Sequence, residues 1–291
     1  MNFPPPPVID KRRVADRFDR AAQSYDKHDF LQREVAARAL ERLDYVTVKP
    51  ARILDIGSGT GRCARALAGR YKSAQVVQCD LALGMLKQAR TLERRFFSRQ
   101  RFVAGDVERL PFADATFALA FSSLALQWCQ NLLAAFTEVR RTLTPGGLLM
   151  FTTLGPDTLR ELREAWASVS NAPHVNQFLD MHDIGDTLIA AGFGDPVMET
   201  EYLTVPYEDV MTLMRDLKGI GASNSNSERA RGMFGRRSLA AVQAAYEAER
   251  RSDGTLPATY EVVYGHAWAV DGRRRQPQDV HTFPIEKLKR R

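Results

Sequence analysis

The chain has 291 residues, 44% hydrophobic and 26% charged, which is enough apolar material for a large core and excludes the composition of a disordered chain. Its 41 basic and 35 acidic residues leave a net charge of +6, which reads either as a solvated basic surface or as a face for an acidic partner; with no aromatic-rich RNA signature beside the charges, nucleic acid is the weaker choice of partner. Cys63, Cys79 and Cys129 are odd in number and widely spaced among apolar neighbours, which argues against a disulfide framework and predicts reduced thiols in the cytoplasm.

The five histidines show no paired ligand spacing, so no metal is predicted. The opening MNFPPPPVIDKRR lacks the apolar stretch of a secretory signal. The most apolar window, Phe117 to Trp128, is interrupted by Ser122, Ser123 and Gln127 and is shorter than the ~20 residues a spanning helix needs, so no membrane association is predicted.

Residues 1–10 read as a flexible lead. Lys11 to Leu43 reads as one helix, with Val14, Phe18, Ala21, Ala22 and Tyr25 at the spacing of a buried face. Short apolar runs then alternate with helical patterns. Strands are predicted at 51–57, 75–80, 101–106, 117–123 and 148–154, and helices up to Tyr71, over 83–95 and over 131–143. Strands alternating with helices imply right-handed crossovers and an α/β, doubly wound, mostly parallel sheet. Two further strands, Val197–Val205 and Tyr260–Trp268, are separated by helical patterns at 207–218 and 238–250 and by the polar tract Ser223–Arg231. A structureless loop of that length is improbable inside a compact domain, so a helical cap over about 206–256 is predicted between the last two strands. The main domain then runs over 11–270, followed by a basic tail over 271–291.

The sharpest local signal is Ile53-Leu54-Asp55-Ile56-Gly57-Ser58-Gly59-Thr60-Gly61, an apolar strand that enters a glycine-rich turn and then a helix. In a doubly wound sheet such a turn lies at the carboxyl ends of the strands, where ligands bind. The third glycine follows two residues after the second, which departs from the G-x-G-x-x-G dinucleotide fingerprint. Asp80 closes the next strand, where a carboxylate can accept from both hydroxyls of a ribose. Asp106 and Val107 follow the third strand, while Ser122 and Leu124 close the fourth.

The glycine run is similar to motif I of the class I methyltransferases. That resemblance implies a seven-stranded Rossmann-like sheet and S-adenosyl-L-methionine as cofactor. It also implies that Asp55 orients the amino end of the cofactor, while Asp106 accepts from the adenine amino group and the Val107 N–H donates to the ring. Met85 and Leu124 would supply apolar walls, and Ser122 and Ser123 would approach the methionine portion.

Three segments outside the sheet narrow the family: Arg17-Phe18-Asp19 through Ala22-Gln23-Ser24-Tyr25-Asp26, Thr158-Leu159-Arg160-Glu161-Leu162 with Trp166, and Asp216-Leu217-Lys218-Gly219-Ile220-Gly221-Ala222. Together with Pro257-Ala258-Thr259-Tyr260-Glu261 and Gly265, they resemble the malonyl-acyl-carrier-protein O-methyltransferases of biotin synthesis over roughly residues 11–270. The resemblance implies methyl transfer to the free carboxylate of a malonyl thioester held on an acidic acyl carrier protein, or on CoA, through a transient interface. Such a carboxylate is already ionised at neutral pH, so no general base, and no catalytic residue of that kind, is expected.

Lys218, Arg215, Tyr25 and His174 are the candidates for gripping the malonyl group, and Arg229–Arg237 is the candidate patch for docking the carrier. Two other readings remain at this point. Mitochondrial proteins that resemble the chain across sheet and cap are associated with hydroxylating an arginine of a respiratory-complex subunit, and a non-catalytic protein could use the cofactor only to fix its shape.

Overall fold

Successive residues of a strand point to opposite faces, and the central strands here carry apolar side chains on both, so each face needs its own cover. A computed structural model describes residues 9–93, 99–170, 172–222 and 235–270. Seven strands of these residues, β1 (Arg52–Ile56), β2 (Gln75–Asp80), β3 (Gln100–Ala104), β4 (Phe117–Ser123), β5 (Leu143–Leu154), β6 (Gly194–Tyr207) and β7 (Leu256–Trp268), form one sheet in the order β3-β2-β1-β4-β5-β7-β6. The ladders from β3 to β5 are parallel, whereas β7 runs antiparallel to both β5 and β6. This is the class I methyltransferase arrangement that the sequence implies.

Ile53, Val76, Leu119 and Met150 face one side, where Val35 of α3 (Phe30–Arg42), Leu67 of α4 (Arg62–Arg70) and Leu162 of α7 (Arg160–Ala167) cover them. Leu54, Val77, Ala120 and Leu149 face the other side, beneath Phe136 of α6 (Leu132–Thr142) and Ile184 of α8 (Met181–Ala190). The crossover helix α5 (Leu83–Leu92) joins β2 to β3. Because β1 has β2 on one side and β4 on the other, the connections diverge above it, and a crevice opens at the carboxyl ends of these strands.

The expected single helix from Lys11 to Leu43 is instead three: α1 (Lys11–Ala21), α2 (Tyr25–His28) and α3. Asp10 caps α1 by accepting from the Arg13 N–H at 3.1 Å. The break falls at Ser24, whose hydroxyl donates to the Ala21 carbonyl at 3.2 Å, and the two aspartates beyond it are used by the next part of the fold. Thr60 donates to Asp26 at 2.7 Å, and the Arg62 guanidinium lies 2.5 Å from the buried Asp29. These tertiary bonds outweigh helical periodicity and fold the N-terminal segment over the crevice.

Helices α7 and α8 are absent from the chain-order expectations. Between β6 and β7, α9 (Val210–Gly219) and α10 (Arg236–Tyr246) stand where the cap is expected. The close approach of α9 to the N-terminal segment shows at Gly219, where an added Cβ would meet the ring of His28 at 2.6 Å. The Ser223–Arg231 tract, most of the Arg229–Arg237 cluster, residues 1–8 of the lead and the tail from 271 lie outside the described residues. Among the described residues no helix is long and apolar enough to cross a membrane.

Candidate active site

The glycine turn between β1 and α4 is shaped by what lies beneath it. Gly57 has φ +63°, and a Cβ there would lie 2.2 Å from the Cβ of Ala125, so both the backbone angle and the space require glycine. At Gly59, φ is +54° and an added Cβ would meet no atom within 4 Å, because the open side of the turn faces the crevice. Asp80 fixes that turn: one carboxylate oxygen accepts from the Gly59 N–H at 2.8 Å and the other from the Ala82 N–H at 2.8 Å. Burial pushes the Asp80 pKa up to about 6, against the pull of those two bonds.

Asp55 lies one layer deeper, almost wholly enclosed, and its Oδ2 has no hydrogen-bond partner. Burial, followed by the nearby Asp80, pushes its pKa up to about 8. A buried, orphaned carboxylate oxygen behind the glycine turn is electrostatically suited to a cationic ligand group.

A cleft lies in front of the turn, at the carboxyl ends of β1 and β2. Ile56, Gly57, Gly59 and Asp80 line its floor, and Met85, Asp106 and Val107 its far wall. The Asp106 carboxylate is paired with Lys11 Nζ at 2.6 Å, a lysine that also reaches Glu108 at 2.7 Å. Leu124 sits at the reaction end with φ +50°, a left-handed angle that costs a leucine about 1 kcal/mol; its N–H donates to the Thr152 carbonyl at 3.1 Å.

Ser122 is placed differently from the expectation. It is fully buried and its hydroxyl donates to the Ile56 carbonyl at 3.1 Å, while the neighbouring Ser123 lines the cleft. Ser58 and Gly61 stand with Asp55 behind the lining, where the Ser58 hydroxyl is buried without a partner. Lys11, Val14 and Phe18 of α1 form the roof, and Trp128 packs edge-on against Phe18 with centroids 5.6 Å apart. No sequence motif announces Lys11, Ala125 or Trp128; they reach the cleft through tertiary packing.

Phe18, Tyr25, Leu124 and Trp128 also border a second chamber of about 570 Å³, to which Gln32, Gln127 and Tyr260 contribute polar side chains. Tyr25 therefore stands where the two cavities meet. Burial raises its pKa well above the usual phenol range, so it stays a neutral hydrogen-bond donor. His174 and Lys218 do not reach this chamber but line a groove beyond it, where the His174 ring stacks on Trp166 with centroids 3.9 Å apart. Burial lowers the His174 pKa. Arg215 is exposed on α9 and lines none of these three cavities.

Comparison with known proteins decides the family. Residues 54–151 match the family model described as a methyltransferase domain. The chain is 53% identical over 275 residues to a malonyl-[acyl-carrier protein] O-methyltransferase of Methylovorus sp. (strain MP688), covering 93% of each chain. The chain belongs to the malonyl-[acyl-carrier protein] O-methyltransferase family. Another member, from Gallionella capsiferriformans (strain ES-2), is 52% identical over 90% of this chain and 91% of its own.

Solved structures show the same fold at lower identity. The YcgJ protein of Bacillus subtilis is 15% identical with a TM-score of 0.58, covering 81% of this chain and 100% of that one. Phosphoethanolamine N-methyltransferase 2 of Haemonchus contortus, solved with S-adenosyl-L-methionine, is 18% identical with a TM-score of 0.56, covering 91% of this chain and 61% of that one. The family's core thus coincides with the strands and turns that build the cleft.

Proposed function

We propose that the protein transfers the methyl group of S-adenosyl-L-methionine to the free carboxylate of malonyl-acyl-carrier protein, or of malonyl-CoA, giving the methyl ester used in biotin synthesis. The observation that carries this is the identity of about one half to named malonyl-[acyl-carrier protein] O-methyltransferases along nearly the whole chain. The relatives' names speak for ester formation rather than arginine hydroxylation.

The residues present fit the cofactor. The orphaned Asp55 oxygen, the open space at Gly59 and the mixed apolar and carboxylate lining of the cleft suit a cation with an adenosine end. Asp55, Gly57 and Gly59 would hold its methionine portion, Asp80 the ribose, and Met85, Asp106 and Val107 the adenine, with Leu124 beside the sulfonium. Bound there, the cofactor supplies an electrophilic methyl group.

The protein's own part is placement. Among the described residues that line the second chamber there is no lysine or arginine, and neutral donors such as Tyr25 would orient the malonyl carboxylate without quenching its charge. Phe18 and Trp128 exclude water, and the ionised carboxylate needs no base. Residues 11–270 would form the catalytic unit, with 206–256 as its cap. The basic surface, including Arg237, would steer an acidic carrier in the cytoplasm. Incubation with methyl-labelled S-adenosyl-L-methionine and either malonyl thioester should give a labelled ester by mass; tight cofactor binding with no ester from either thioester would overturn the assignment.

A further inference from the structure

The reacting carboxylate is one end of a substrate whose other end is a long thioester-linked arm, and that arm must leave the second chamber somewhere. Two grooves adjoin the chamber. One lies between α7 and α9, encloses about 1,010 Å³ and shares Leu159, Asn176, Phe178, Leu217 and Ala222 with it. The other, beside α6 and α8, shares Gln127, Leu154, Asn176 and Phe178.

Their chemistry differs. The α6–α8 groove is lined mainly by apolar and amide side chains with Thr153 and Cys129, and none of the described residues that line it is charged. The α7–α9 groove has apolar walls from Leu162, Trp166 and Met214, polar groups from Asn176 and His174, and the exposed Lys218 at its rim. A phosphopantetheine arm presents a dimethyl-bearing stem and two amides, and it ends in a phosphate, a phosphodiester on a carrier and part of a pyrophosphate in CoA. Apolar walls with a few polar groups match the stem, and an ammonium at the rim matches the phosphate.

We propose, resting on the function given above, that the groove between α7 and α9 takes the pantetheine arm of the malonyl thioester, with Lys218 meeting its phosphate. Lys218 then determines substrate presentation without touching the malonyl carboxylate. The phosphate at the end of the arm is common to carrier-bound and CoA-bound substrates, so the groove serves both.

The test compares Met214→Trp, which fills the groove, Lys218→Glu, which reverses the rim charge on an exposed site, and Leu179→Trp, which fills the alternative groove. Each is assayed with malonyl-acyl-carrier protein, malonyl-CoA and the armless S-methyl malonyl thioester, with cofactor affinity as the check on folding. The expected result is a loss of about tenfold or more in kcat/KM for both arm-bearing substrates in the first two variants, with the armless thioester changed by less than about twofold. Leu179→Trp should behave as the unmodified protein.

Equal losses on armed and armless substrates, no loss on the armed ones, or a selective loss in Leu179→Trp would overturn the groove assignment. Should Met214→Trp lose cofactor binding, the surface variant Lys218→Glu decides alone. Absence of ester from the unmodified protein with all three thioesters would instead overturn the activity itself, and the groove assignment with it.

Discussion

Asp80 accepts hydrogen bonds from the backbone N–H groups of Gly59 and Ala82, both at 2.8 Å, so a single carboxylate at the end of β2 sets the shape of the turn that follows β1. The residue expected to hold the ribose is thus also the clamp of the glycine turn. Asp80→Asn keeps one acceptor oxygen but turns an NH2 group toward the other donor. We expect cofactor affinity to fall by about tenfold or more, because two charge-assisted bonds are weakened together. Isothermal titration of S-adenosyl-L-methionine measures this, and an unchanged affinity would show that the turn holds itself.

Asp55 gives a pH dependence. Burial raises its pKa to about 8, so near pH 6 the carboxyl is protonated and offers a cationic cofactor no charge. Affinity should rise as pH goes from about 6 to 8, with proton release on binding below pH 8. Asp55→Asn should bind weakly and with a flat profile. Titrations in buffers of different ionisation enthalpy read the proton release directly.

The same shift acts on stability with the opposite sign. A carboxyl whose folded pKa exceeds its unfolded value stabilises the fold fully below pH 4, and that contribution is lost as pH rises toward about 8. Asp55→Asn should therefore raise the Tm of the cofactor-free protein at pH 8 by several degrees relative to its effect at pH 4. A pH-independent difference in Tm would contradict the linkage.

Gly57 and Gly59 share a left-handed backbone but not a neighbourhood. Gly57→Ala adds a clash with the Ala125 Cβ to its backbone strain, for a loss of about 2–4 kcal/mol. Gly59→Ala meets no protein atom within 4 Å and should cost only about 1 kcal/mol. Urea denaturation separates the two, and equal losses would mean that strain alone governs the turn.

The Arg62–Asp29 pair joins the N-terminal segment to the first turn of α4, with Asp29 2% exposed and Arg62 37%. Arg62→Met strands a buried carboxylate, and because water reaches the arginine side we expect a loss of about 2–3 kcal/mol. Adding Asp29→Asn should recover part of it. If the double variant is no more stable than the single, the pair is not the source of the loss.

The strand-and-turn framework was legible because each of its parts is local. An apolar run into glycines, with aspartates at successive strand ends, predicts where Asp55, Gly57, Asp80 and Asp106 sit, and the first four parallel strands fall within a few residues of expectation. The roof was not legible. Periodicity continues smoothly through Ser24, and only Thr60 and Arg62, far along the chain, show why the helix breaks there. Ser122 and Ser123 are indistinguishable in sequence, and the alternation of β4 decides which one lines the cleft. Lys11 is one basic residue among many until Asp106 is brought opposite it.

The position of β7 bears on how the protein is made. Leu256–Trp268 emerges last of the seven strands but lies between β5 and β6, and among the described residues β6 pairs with no other strand. A nascent chain halted before Leu256 would carry a completed cofactor floor beside a 14-residue strand without a neighbour, open to pairing with other chains until translation delivers its partner.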